Sequence, residues 1–192
     1  MKRESFQVAA FCLLLFLGLP ALADKSRRNV ACPVDTPYED ASGNPVSFEE
    51  KFGYDVLDSL RCNERRSNVR MVMQVNAYEV PSPSGPKPYG FRNLPNIIND
   101  MENTHGIENW RIAVVIHSGG WPFVSNDPTK NSYLDTIEKY IDDPNVDIYY
   151  CLNTAAASGQ TTADFIDGIK FVPAGLSSIM DFQYRGYKYI QP

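Results

Sequence analysis

The apolar run at residues 112–116 (Ile-Ala-Val-Val-Ile) constrains the fold of this chain more than any other feature. It has no polar face, so it indicates a strand buried on both sides, as in parallel sheets that helices cover. Further strands are predicted at residues 70–75, 146–151, 169–172 and 187–190, and a helical pattern separates each strand from the next. This alternation predicts an α/β fold with three layers (α/β/α) and a mainly parallel sheet of about five strands.

Apolar residues at helical spacing predict the connections between these strands. The first helix follows a candidate cap at Asn93. The second is predicted to start at Asp127, which a proline follows, and to end before Pro144. A short helix is predicted at residues 163–167. The last helix ends at Gly186, which suits a left-handed C-cap.

Residues 77–90 form a long connection that contains Pro81, Pro83, Pro86 and Pro88. Proline fixes φ and removes the backbone N–H donor, so this segment is predicted to be extended and polyproline-like. It leaves the carboxyl end of the first strand. A lid or an arm that contacts another subunit is therefore favoured over a plain loop.

The first residues have the pattern of a targeting signal. Lys2 and Arg3 precede an apolar stretch at residues 8–19, and Ala-Leu-Ala at residues 21–23 matches a cleavage site. We therefore expect residues 1–23 to be a signal peptide and the protein to be exported, either periplasmic or secreted. We expect no membrane contact after cleavage. An uncleaved anchor is the less favoured alternative.

The segment at residues 24–67 is polar and is interpreted as an N-terminal extension to a main domain at residues 68–192. One amphipathic helix is predicted within the extension. Ser47 and Glu50 form a capping box, and apolar residues then recur every four positions through Arg61.

The chain has four cysteines, of which Cys12 lies in the predicted signal peptide. The remaining three allow three single disulfides. A Cys32–Cys62 bridge is favoured because both residues lie in the polar extension, whereas Cys151 lies in the apolar C-terminal half. Three reduced cysteines are less expected in an oxidising compartment. The favoured pairing leaves Cys151 as a free thiol.

Parallel strands bring their carboxyl ends to one edge of the sheet, where open α/β sheets bind ligands. Asn76, His117, Cys151 and Gly175 are expected to meet at this edge. Cys151 is the candidate nucleophile or sulfur carrier, and His117 could pair with its thiolate or supply a proton. The competing interpretations are a packed core thiol and a histidine that only hydrogen-bonds within a glycine-rich turn.

Further residues complete the predicted ligand-binding set. Gly119 and Gly120 allow close backbone approach to a ligand, or simply a tight turn. Asn153 and Thr154 are candidate caps of a helix behind Cys151, and the N-terminus of such a helix favours a thiolate over a thiol.

Composition and motifs exclude several classes of protein. A chain of 192 residues with 43% hydrophobic and 21% charged residues is globular, and a net charge of −5 without a basic stripe argues against nucleic-acid binding. The sequence has no phosphate loop, dinucleotide fingerprint or clustered Cys/His ligands, so we expect neither a cofactor nor a metal.

Four segments, taken in order, resemble the DsrE/DsrF-like family, small α/β proteins of sulfur-relay and sulfur-oxidation systems. These segments are residues 117–119, 150–154, 172–175 and 186–190. The resemblance spans residues 69–192. It implies that the cysteine after the third strand, here Cys151, carries a persulfide. It also implies assembly as a trimer or hexamer, with a sulfur donor or acceptor protein as partner. Export and the N-terminal extension depart from the family's cytoplasmic relays.

Two functions from different classes follow. The favoured one is an exported sulfur (persulfide) carrier, or another subunit with thiol chemistry, that uses Cys151. The alternative is a non-catalytic oligomeric binding or assembly module in which Cys151 is a packed core thiol. The many tyrosines, the export signal and the proline-rich segment motivate the alternative. Because a carrier cycle need not be catalytic, whether the protein is an enzyme stays open.

Overall fold

The computed structural model describes residues 30–31, 38–39, 42–53, 63–64, 67–104 and 106–192. The predicted signal peptide and both cysteines of the predicted Cys32–Cys62 disulfide lie outside these described residues. Within the described residues, no helix is long and apolar enough to cross a membrane.

A parallel sheet of five strands forms the centre of the domain. The strands are labelled in chain order as β1 (Val69–Val75), β2 (Trp110–Ile116), β3 (Val146–Cys151), β4 (Lys170–Val172) and β5 (Lys188–Ile190). Their order across the sheet is β4-β3-β2-β1-β5, and every neighbouring pair is parallel. The predicted α/β fold with a mainly parallel sheet is therefore confirmed.

In the described part of the chain, the α-helices are α1 (Phe48–Phe52), α2 (Leu94–Asn99), α3 (Leu134–Ile141), α4 (Leu152–Ala157) and α5 (Gly175–Tyr184). A π-helical turn, Asp100–Thr104, extends α2, and 3-10 helices occupy Ser118–Val124 and Thr162–Asp164. Short antiparallel ladders pair Val30–Ala31 with Asn63–Glu64, Tyr38–Glu39 with Pro45–Val46, and Glu79–Val80 with Lys87–Pro88.

The two faces of the sheet bury separate apolar clusters, because successive side chains of a strand point to opposite faces. The larger cluster lies under α2, α3 and α4, to which Leu94, Ile137 and Ala155 contribute. The smaller cluster lies under α5, whose Ile179 and Phe182 are buried against strand residues. These are Val72, Ala113, Val115 and Val172. Helices thus cover both faces of the sheet, which gives the three predicted layers.

Two predicted helices differ from the observed ones. The helix predicted to start at Asp127 begins only at Leu134, because the Asp127 carboxylate accepts hydrogen bonds from the Thr129 N–H (2.9 Å) and hydroxyl (2.7 Å) in a separate turn. The predicted helix at residues 163–167 is reduced to a 3-10 turn. Phe165 instead extends to bridge Ser125, which places its ring in the core.

The extension helix is also shorter than predicted. Its capping box is present: the Ser47 N–H donates to Glu50 Oε2 (2.7 Å), and the Glu50 N–H donates to Ser47 Oγ (3.1 Å). However, α1 ends at Phe52, and Gly53 follows with a φ of 83°. A glycine in this left-handed conformation terminates a helix. The helix is therefore not continuous to Arg61, which lies outside the described residues.

The proline-rich segment is a short hairpin rather than a polyproline helix. Its antiparallel ladder pairs Glu79–Val80 with Lys87–Pro88. The hairpin is attached to the start of α3: the Ser132 N–H donates to the Tyr78 hydroxyl (2.6 Å), and the Tyr133 hydroxyl donates to Glu79 Oε1 (2.9 Å). These contacts hold the segment against the domain that carries it.

Candidate functional site

The register of the sheet places three polar or reactive side chains on one face at its carboxyl edge. Gln74 of β1 is paired with Val115 of β2, and Val115 is paired in turn with Tyr149 of β3. His117 and Cys151 each lie two residues further along, so they point to the same face as these partners. This is the face that α5 covers. The predicted convergence of His117 and Cys151 follows from this alternation.

Cys151 ends β3 and is a free thiol with 5% of its surface exposed. The backbone N–H of Gly175, the first residue of α5, donates to its sulfur at 3.2 Å. A Cβ at position 175 would lie 3.1 to 3.3 Å from His117 side-chain atoms. Because glycine has no Cβ, α5 can start close to His117 and direct its positive N-terminal end at the sulfur.

Helix α4 begins at Leu152, immediately after Cys151, so Asn153 and Thr154 lie within its first turn rather than before it. Burial raises the pKa of the Cys151 thiol. The Thr154 hydroxyl, the backbone N–H groups of Thr154 and Asn153, and the Gly175 N–H that donates to the sulfur lower it by more, so the pKa lies below its ordinary value of 9.0. The surroundings of the sulfur therefore favour the thiolate.

His117 is also buried, at 8% exposure, and its ring is hydrogen-bonded on both sides. The Gln74 amide nitrogen is 2.8 Å from Nε2, and Ser118 Oγ is 2.8 Å from Nδ1. Since the Tyr189 hydroxyl donates to the Gln74 amide oxygen, the amide N–H donates to Nε2 and the ring proton sits on Nδ1. Burial lowers the pKa of His117, which favours this neutral form.

Ser118 connects the histidine to the helix behind Cys151. Its backbone N–H donates to Thr154 Oγ1 at 2.9 Å. Its φ is 49°, and among the described residues it is the sole non-glycine residue with a positive φ. A strained backbone of this kind persists where surrounding contacts require it, and it is concentrated at functional sites.

His117, Ser118 and Cys151 line a pocket of about 570 Å³ at the carboxyl edge of the sheet. Of the predicted site residues, it brings together His117, Cys151, Asn153, Thr154 and Gly175; its other lining residues are Ser118, Ala157, Ser158, Ala174, Leu176 and Ser177. A pocket of about 680 Å³ lies at the opposite end of β1, beside Val69 and Met101, and contains none of the predicted site residues. The reactive chemistry therefore belongs to the smaller pocket.

The glycine pair and Asn76 lie beside the end of β1 rather than in the lining of this pocket. A Cβ on Gly120 would be 2.7 Å from the Val75 carbonyl oxygen, and one on Gly119 would be 3.0 Å from the Asn76 carbonyl oxygen. Close packing of two backbone segments therefore explains both glycines. Ligand contact at Asn76, Gly119 and Gly120 stays a prediction.

Gln74, Ser118 and Tyr189 are site residues that no sequence pattern indicated. Gln74 is the one of the three that the sequence could have indicated, because it is a polar residue between apolar residues near the end of a strand. Such a side chain needs a hydrogen-bond partner when it is buried.

Among the described residues, no group of three or more His, Cys, Asp or Glu side chains could hold a metal ion.

A three-layer α/β domain with a free cysteine at a strand end defines the class of this protein. Residues 75–192 match the DsrE/DsrF-like family, and the chain belongs to this family. No curated protein matches it. Among solved structures, it is similar to MTH1491 from Methanobacterium thermoautotrophicum, a protein of unknown function (26% identity, TM-score 0.49, 65% of this chain and 100% of that one). It is also similar to the ychN protein from E. coli (16% identity, TM-score 0.42, 65% of this chain and 99% of that one).

Proposed function

We propose that this protein carries sulfane sulfur as a persulfide on Cys151. The observation that supports this most directly is the Gly175 N–H, which donates to the sulfur at 3.2 Å beside the polar groups of Asn153 and Thr154 that lower the pKa of the thiol. These donors stabilise a thiolate, and the thiolate is the nucleophilic form of cysteine. The pocket of about 570 Å³ in front of the sulfur leaves room for a small donor or for a partner's thiol.

The proposed cycle needs no external oxidant or reductant. The Cys151 thiolate attacks the sulfane sulfur of a persulfide or polysulfide donor, an S–S bond forms, and the donor's S–S bond breaks. The electron pair leaves with the donor as a thiolate. A thiolate on the acceptor then attacks the outer sulfur of Cys151, and the Cys151 thiolate leaves. The same donors that hold the thiolate also stabilise it as this leaving group.

We also propose that the protein works outside the cytoplasm as a homo-oligomer. The pattern of residues 1–23 supports export, and the residues Leu176, Met180 and Tyr184 support assembly. These three lie four positions apart on one face of α5 and are 62%, 55% and 85% exposed. If they lie between subunits, Leu176→Asp with Met180→Asp should lower the mass measured by light scattering. An unchanged mass would contradict this interface.

A second candidate function is a non-catalytic oligomeric binding or assembly module in which Cys151 is a packed core thiol. The low exposure of Cys151, at 5%, favours it. The two candidates differ in the reactivity of the native thiol. A carrier thiol should be alkylated rapidly in the folded protein below about pH 7, whereas a core thiol should react only after unfolding.

The proposed function is tested by incubation of the purified protein with an inorganic polysulfide, followed by intact mass measurement and peptide mapping. Wild type should gain one sulfur atom on the peptide that contains Cys151. Cys151→Ser should lack this adduct, while both proteins keep the same circular dichroism spectrum. Absence of the adduct from wild type, or an equal adduct in Cys151→Ser, would rule out the proposed function.

A further inference from the structure

Ser118 adopts its left-handed conformation without the freedom of glycine, with a φ of 49°. For most residues this conformation costs free energy because the Cβ approaches the backbone. It directs the Ser118 N–H to Thr154 Oγ1, 2.9 Å away, in a residue 36 positions further along the chain. A hydroxyl that accepts a hydrogen bond on one side has its own proton free to donate on another. Thr154 lies in the first turn of the helix that follows Cys151 and lines the same pocket as the sulfur, and its hydroxyl lowers the pKa of the thiol.

The conformation of Ser118 is in turn held by a partly buried chain of hydrogen bonds. Its Oγ accepts from His117 Nδ1 at 2.8 Å, and His117 Nε2 accepts from the Gln74 amide at 2.8 Å. The Gln74 amide oxygen accepts from the Tyr189 hydroxyl on the edge strand β5. Each contact fixes the orientation of the next group, so the chain runs from the sheet edge to the hydroxyl of Thr154.

We propose that Ser118 is a positioning residue for Cys151, which acts by orienting the Thr154 hydroxyl towards the sulfur. His117 then supports the backbone conformation of Ser118 and does not exchange a proton with the thiol. The inference rests on the proposed function for its purpose. Its test measures the ionisation of the thiol and not sulfur loading, so the two can fail separately.

Few other titratable groups face the sulfur. His117 approaches from β2, and it is neutral in the hydrogen-bonded form described above. Tyr150 is the chain neighbour of Cys151, and its hydroxyl donates to Gln160 at 2.5 Å. Neither α4 nor the first turn of α5 contains a titratable side chain. Thr154 is therefore the side chain whose removal should change the ionisation of Cys151 most directly.

The test is the pH profile of Cys151 alkylation by iodoacetamide, followed on the Cys151 peptide by mass spectrometry. Thr154→Val removes the hydroxyl at nearly constant volume, and it should move the midpoint to higher pH and slow alkylation about tenfold at neutral pH. Thr154→Ser restores a hydroxyl and should recover most of the rate. Thr162→Val is the matched control, because Thr162 is exposed in a separate 3-10 turn.

Two substitutions of Ser118 separate its backbone role from its side-chain role. Ser118→Ala loses the bond to His117 and keeps a Cβ that disfavours positive φ, so the midpoint should rise. Ser118→Gly also loses that bond but adopts positive φ freely, so its shift should be smaller. A wild-type midpoint in Thr154→Val, or equal shifts in Ser118→Ala and Ser118→Gly, would overturn the proposal. If Thr154→Val does not fold, the comparison of the two Ser118 variants decides.

Discussion

The two ends of β3 stabilise negative charge in different ways. Asp147 and Cys151 lie on the same face of the strand, because they are four residues apart. At the amino end, the Asp147 carboxylate pairs with the ammonium of Lys170 and lies 3.8 Å from the guanidinium of Arg111. At the carboxyl end, the Gly175 N–H donates to the Cys151 sulfur, and the groups of Thr154 and Asn153 that lower the pKa of the thiol are likewise neutral. An ion pair cancels a charge, whereas neutral donors stabilise it and leave it able to react.

The environments of the two ends also differ in their access to solvent. The side chains of Lys170 and Arg111 are 53% and 51% exposed, so water screens their attraction to Asp147. Cys151 is 5% exposed, so its donors act in surroundings with a lower effective dielectric. We therefore expect substitutions at the carboxyl end to change thiol reactivity strongly, and those at the amino end to change little.

The largest effect is expected from removal of the Gly175 N–H donor. Gly175→Pro removes this N–H at a helix start that accepts proline, after Ala174 in an extended conformation that suits a residue before proline. Loss of a hydrogen bond to a charged group should slow alkylation of Cys151 about tenfold or more at neutral pH. The measurement is the rate of iodoacetamide labelling against pH.

Gly175→Ala is the matched control for this substitution. Both variants place a Cβ 3.1 Å from His117 Cβ, but proline also places its ring Cδ where the N–H pointed at the sulfur, whereas alanine keeps the N–H donor. The difference between the two rates therefore measures the loss of the donor together with the displacement of the sulfur by the proline ring. Equal rates in Gly175→Ala and Gly175→Pro would show that crowding against His117, and not the donor, controls the thiol.

The sequence predicted the part of this site that depends on strand periodicity. An apolar strand that ends at Cys151, and another that ends just before His117, must deliver both residues to one edge if the strands are parallel. Glycine at position 175 followed from the start of the last helix. These inferences needed only the alternation of strands and helices, and the register of β2 and β3 supports them.

The rest depended on tertiary contacts that local patterns do not encode. The φ of Ser118 is set by partners in two other segments, His117 and Thr154, and serine has no intrinsic preference for it. The start of α3 was misplaced because Asp127 caps a local turn just as well as it would cap a helix. The pairing of Glu79–Val80 with Lys87–Pro88 was missed because four prolines in the segment argued against a ladder.

A smaller effect is expected at the amino end of β3. The coupling between Asp147 and Lys170, measured by a double-mutant cycle of Asp147→Asn and Lys170→Gln, should contribute about 0 to 1 kcal/mol to the free energy of unfolding. The rate of Cys151 alkylation should stay at the wild-type value in Asp147→Asn. A coupling well above this range, or a slower thiol, would mean that the two ends of the strand are not independent.

The smallest effect concerns the charge of His117 and completes the comparison. Burial lowers the pKa of His117 below its ordinary value of 6.5, so the unfolded chain binds a proton at a higher pH than the folded protein does. The contribution of His117 to stability is therefore present above this value and is lost as the pH falls through the folded pKa. In urea denaturation at about pH 7.5 and about pH 5, wild type should lose more stability on acidification than His117→Gln.

An ion pair between His117 and the Cys151 thiolate predicts the opposite sign, because it would raise the histidine pKa, and the protonated ring would then stabilise the fold at lower pH. A smaller acid loss in wild type than in His117→Gln would therefore place a cation beside the sulfur and remove the contrast between the two ends of β3.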